Sequence, residues 1–134
     1  MLISQMARHA QGLRMIYAAC FCGAFCTHLH VALLHGLNWD YGGVAPVTRL
    51  YWTSLLFIDP LVALLLLAAP RTGLALSVAV IVTDVAHNSW FALSHPIRLE
   101  LYLSQIAFLL FVVATVRFAW QRAPRRRGEC RGTT

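Results

Sequence analysis

The sequence predicts an all-α membrane protein: an antiparallel bundle of four transmembrane helices with both chain ends on the cytoplasmic side (N-in/C-in). Three observations carry this prediction. Apolar residues make up 59% of the 134 positions and charged residues only 12%, a balance outside that of soluble globular domains. Four separate stretches are each long enough to cross a bilayer core as helix, which takes about 20 residues. Arginine is concentrated on the segments flanking one side of those stretches. A soluble chain of this length could not cover four such stretches with its remaining polar residues, so residues 1–134 read as a single integral membrane domain.

The elements follow in order. Residues 1–14 hold Arg8, His9 and Arg14 with a weak apolar stripe of Ile3, Met6, Ala10 and Leu13, the pattern of a short interfacial helix or a frayed end. A basic start before Tyr17-Ala18-Ala19-Cys20 faintly resembles a lipoprotein signal. The apolar run before Cys20 is too short for one, however, and continues well past it. The first span is residues 15–36. The loop from Leu37 to Arg49 is rich in turn formers, among them Asn38, Asp40, Gly42, Gly43 and Pro46, and reads as an ordered cap. The second span, 50–69, is joined to the third, 74–93, by Pro70-Arg71-Thr72-Gly73, a tight turn that makes the two antiparallel neighbours. Residues 94–100 use Pro96 to stop the third helix and Glu100 to start the fourth span, 101–120. A basic tail, 121–134, completes the chain.

Orientation follows from the arginines. Arg8, Arg14, Arg71, Arg122, Arg125, Arg126, Arg127 and Arg131 flank one side of the spans, whereas the other two loops hold only Arg49 and Arg98. Aromatic residues fit interfaces placed there: Trp39, Tyr41, Tyr51, Trp52 and Tyr102 outside, Tyr17 and Trp120 inside. All 11 basic residues are arginine, as a GC-rich genome produces, so the expected location is the inner membrane of a bacterium, as a multi-pass protein. The absence of lysine excludes Schiff-base chemistry with retinal or pyridoxal phosphate and any phosphate-binding P-loop. The tail suits contact with anionic lipids; with no folded basic domain or aromatic interleaving, nucleic acid is not an expected partner. Arg117 reads as snorkelling to the interface.

Ionisable residues within a span are costly and therefore mark function. Asp59 and Asp84 fall about nine and ten residues into their spans, near the midplane at 1.5 Å rise per residue. His28 and His87 are each about thirteen residues from the cytoplasmic end of theirs. On the third span Ser77, Asp84, His87, Asn88, Phe91 and His95 share about 100° of arc. Each residue has a plain structural reading beside the functional one. The histidines could simply hydrogen-bond across helices, and Asp59 could answer the carbonyl of Leu56 that Pro60 frees. Cys22, Cys26 and His30 form a second stripe on the first span, read as small residues packing against another helix or, less simply, as a soft-metal site. No disulfide framework is expected.

The expected site is a polar pocket of Asp59, Asp84, His87, Asn88 and His28 between spans one, two and three, which binds a small-molecule ligand or handles protons. Asp84 and His87 are one turn apart and fit a pair within the helix, whereas Asp59 needs His28 or His87 from another span. One alternative is a redox protein: His28 and His87 as axial ligands of haem, or with Asp59 and Asp84 as ligands of a divalent metal. Another is a structural or assembly subunit. A homo-oligomer is a further assembly the chain admits. The plan of four helices with buried acids and histidines resembles that of several small membrane-protein families, including EXPERA-type sterol isomerases and ligand-binding proteins. The resemblance covers architecture alone and implies neither substrate nor site. No nucleophile elbow, HExxH or dinucleotide fingerprint occurs, so no catalysis is assigned.

Overall fold

A computed structural model describes residues 2–124, which form four helices and, among the described residues, no strand. They are α1 (Leu2–His35), α2 (Pro46–Ala68), α3 (Pro70–Ala92) and α4 (Leu99–Gln121). Each is long and apolar enough to cross a membrane, as a multi-pass membrane protein requires. Arginines 125, 126, 127 and 131 of the basic tail lie outside the described residues.

The helix starts depart from expectation in ways that proline explains. Residues 2–14 form no separate interfacial helix but the first turns of α1, because the chain contains no proline before Pro46. Pro46 and Pro70, read from sequence as loop and turn formers, instead open α2 and α3 at the first helical position, where a missing N–H costs nothing. The expected turn at Pro70–Gly73 therefore shrinks to Ala69 alone, with φ −140° and ψ 73°. Gly73, in the first turn of α3, lies so close to α2 that an added Cβ would collide with the backbone of Leu65 and Leu66. Glycine is what lets the two helices approach there.

The short connections alternate helix direction. Loops 36–45 and 93–98 therefore share one end of the bundle, the loop end, opposite the terminal end that holds the start of α1, the end of α4 and Ala69. α1 packs on α2, α2 on α3 and α3 on α4; α4 closes the ring against α1, leaving α2 and α4 diagonal. The core is apolar, drawn from all four helices, with Phe21, Val62, Leu66, Leu74 and Val112 among its members. The outer surface is apolar too, with Leu33, Phe57, Leu64 and Leu110 exposed, as a bilayer solvent favours.

Three expectations about packing change. Tyr17 is no interface anchor: it is fully buried, its hydroxyl 2.7 Å from Thr115 Oγ1 and 3.3 Å from the Val112 carbonyl, its ring edge-on to Phe108 and Phe111. Cys22 and Cys26 are exposed rather than packed between helices. Trp52, expected in the outer aromatic belt, is half-buried and turns its indole inward. Loop 36–45 does form an ordered cap. Tyr41, Gly42 and Gly43 all take positive φ, and the Asp40 carboxylate accepts the Gly42 N–H at 3.0 Å.

Candidate functional site

The last contact on the terminal side of the α1–α4 seam is the edge-on pair of Phe21 and Phe108. Toward the loop end the two helices part around a cleft of about 590 Å³. Its α1 wall is built of small side chains, Cys20, Gly23, Ala24 and Thr27, which leave the volume open. Leu55 of α2, Val80, Ile81 and Phe91 of α3 and Leu101 and Phe108 of α4 make the rest mostly apolar. Tyr41 and the segment 96–98 frame the mouth at the loop end.

A polar strip runs up the inside of this cleft. Asp59, nine residues from the end of α2, sits about 13 Å from its terminal end, and Asp84 about 21 Å from that of α3. The Asp59 side chain is 3% exposed, with His28 Nε2 3.8 Å from Oδ2, too far for a hydrogen bond. That Oδ2 is buried without any hydrogen-bond partner. Asn88 forms a hub above: its Nδ2 donates to Asp84 Oδ1 at 3.1 Å and to Gln105 Oε1 at 2.9 Å, while its Oδ1 accepts the Trp52 indole N–H at 3.0 Å. One side chain thereby ties α2, α3 and α4 together.

Of the five residues singled out from sequence, Asp59, Asp84, Asn88 and His28 line this one cleft and His87 does not. His87 lies about 60° of helical arc from Asp84, at the edge of the polar face. It leans onto α2, its ring 4.5 Å from that of Tyr51 and its Nε2 buried without a partner. The expected Asp84–His87 pair is accordingly absent; Asp84 bonds Asn88 instead. Among the described residues no three His, Cys, Asp or Glu side chains stand together as a ligand set.

Gln105, Trp52 and Tyr102 also line the cleft and were not singled out. A signal for Gln105 was present, an amide inside an otherwise apolar run and four residues from Leu101 on one face, but a search keyed to ionisable groups passes over it. Chemically, the cleft offers an apolar body and a strip of acceptors. Comparison of the chain with family models, curated proteins and solved structures returns no match.

Proposed function

We propose that this chain is a multi-pass protein of a bacterial inner membrane, both termini cytoplasmic, that binds a small amphipathic molecule in the cleft between α1 and α4. The observation that carries the reading is the convergence of Asp59, Asp84, Asn88 and His28 on one cavity whose size falls within the range of about 300–1,000 Å³ typical of small-molecule sites. Asp59 Oδ2 lies buried without a hydrogen-bond partner, and the second oxygen of Asp84 accepts no hydrogen bond among the described residues; a ligand donor at Asp84 relieves the cost of an unpaired carboxyl oxygen in a membrane helix. Because the small residues that leave the cleft open also face outward on α1, the cleft communicates with the lipid phase, and an apolar ligand body is the natural occupant. The arginine distribution supports the orientation, which places the mouth on the periplasmic side.

Gly23→Trp tests the site. Gly23 lines the cleft and an added Cβ there meets nothing within 4 Å, so the substitution adds bulk at the cleft wall without a backbone clash. Native mass spectrometry of the protein released from nanodiscs is expected to show small-molecule adducts on the wild type and none on the variant. Identical adduct patterns for the two proteins would sink the reading. A reporter fused after Thr134 that is active only in the periplasm would overturn the orientation.

A second reading, proton handling, draws on the same unpartnered Asp59 oxygen. It requires Asp59→Asn to abolish a pH response of the reconstituted protein while adduct binding persists.

A further inference from the structure

Resting on the binding site proposed above, the hydrogen-bond directions within it determine what head group that site takes. The indole N–H of Trp52 can only donate, so Asn88 must turn its Oδ1 toward Trp52. That fixes Asn88 Nδ2 on the opposite side, where it donates to Asp84 Oδ1 and to Gln105. Gln105 must in turn present Oε1 to Asn88, and both hydrogens of its Nε2 are left without a protein partner among the described residues. A single donor-only group on α2 thus orients an amide on α4.

The hydroxyls of the lining cannot substitute for that donor. Thr27 donates to the Gly23 carbonyl and Ser104 to that of Leu101. Ser89 donates to Val85, so the Tyr102 hydroxyl must donate to Ser89 Oγ, 2.7 Å away. Below the mouth, the hydrogens left for a ligand are those of Gln105 Nε2 and the imidazole N–H of His28. Beside Gln105 stands one acceptor, the second oxygen of Asp84, whose first oxygen shares the Asn88 amide with Gln105. A head group that satisfies this strip needs an acceptor for Gln105 and a donor for a carboxyl oxygen. A head lacking either leaves a buried polar group unpaired, which is the larger part of the cost of a wrong ligand.

We infer that the cleft selects an apolar molecule whose head group carries a hydrogen-bond acceptor and donor side by side, as a carboxamide does, and that Gln105 is the residue reading the acceptor.

The test offers the full-length protein in phosphatidylcholine nanodiscs at neutral pH three probes with one shared C18 chain: oleamide (acceptor and donor), methyl oleate (acceptor only) and oleylamine (donor only, as its ammonium ion). Retention is read by native mass spectrometry, with Gly23→Trp as the control for binding outside the cleft. Oleamide is expected to be retained about tenfold over each of the others. Gln105→Glu keeps the oxygen that accepts from Asn88 but replaces the cavity-facing donor with an acceptor, and is expected to remove that preference. Equal retention of the ester or the amine by the wild type overturns the inference, and needs no variant to fold. An unchanged preference in Gln105→Glu overturns the role of Gln105. Retention of every probe equally by wild type and Gly23→Trp overturns the cleft itself as the site, a different result from loss of head-group selectivity within it.

Discussion

At the terminal end of the bundle α1 and α4 meet directly, through a buried tyrosine wedged among phenylalanines, whereas at the loop end the same helices stand apart and α4 is tied instead to α3 and α2 through the polar hub. The sequences of the two halves show why. Large aromatic side chains at Tyr17, Phe21, Phe108 and Phe111 fill the seam in the first, while cysteine, glycine, alanine and threonine at positions 20, 23, 24 and 27 leave it empty in the second. Between helices in lipid the driving force is packing and hydrogen bonding rather than water exclusion, so small side chains alone would let two helices close up, and a seam of them stays open where other contacts fix the helix spacing. The cleft is a built-in absence of packing, and its walls need the hub to keep their spacing.

That contrast can be broken at several points. The largest effect is expected where both halves share a scaffold: Gly73→Ala pushes a Cβ into the backbone of α2 and should destabilise by about 3 kcal/mol, read as a lowered unfolding midpoint in detergent micelles. An unchanged midpoint would show that α2 and α3 separate there without cost. Next comes Asn88→Ala, which strands the Trp52 indole, the Asp84 carboxyl and the Gln105 amide together, for about 2 kcal/mol and a loss of adduct binding. If stability fell but binding stayed, the hub would serve the fold alone. Tyr17→Phe removes one hydroxyl from the closed half, for about 1 kcal/mol, and should leave adduct binding at the wild-type level. A coupled loss of binding would mean that the two halves are not independent. The smallest effect, under about 0.5 kcal/mol, is expected for Phe57→Leu on the lipid-facing side, measured in the same micelles.

The four helices were legible because a run of about 20 apolar residues has little use outside a bilayer. Their starts were less so, since Pro46 and Pro70 are equally at home in a turn and at the first position of a helix, and only the folded chain distinguishes these. Asp59, Asp84, Asn88 and His28 could be singled out from the cost of burying polar groups in lipid. His87 obeys the same rule yet misses the cleft, because sequence gives its depth but not which neighbour meets the edge of a helical face. Tyr17 and Trp52 show the converse. Depth suggested interface anchors, but a hydroxyl or indole N–H can face inward as readily as outward, and here each finds a partner on another helix.

The one-residue link at Ala69 bears on how the protein enters the membrane. Consecutive Cα atoms are about 3.8 Å apart, so the end of α2 and the start of α3 cannot part by more than a few ångströms. With Gly73 seated against Leu66, the two segments form a tight helical hairpin, and they are expected to enter the membrane as one unit. Asp59 and Asp84 then enter hydrocarbon together, with the Trp52–Asn88–Asp84 bonds already available inside the hairpin before α4 arrives. Lengthening the link with a flexible insert would let α2 be released alone, and the yield of inserted protein should fall because the two aspartates would then enter hydrocarbon separately.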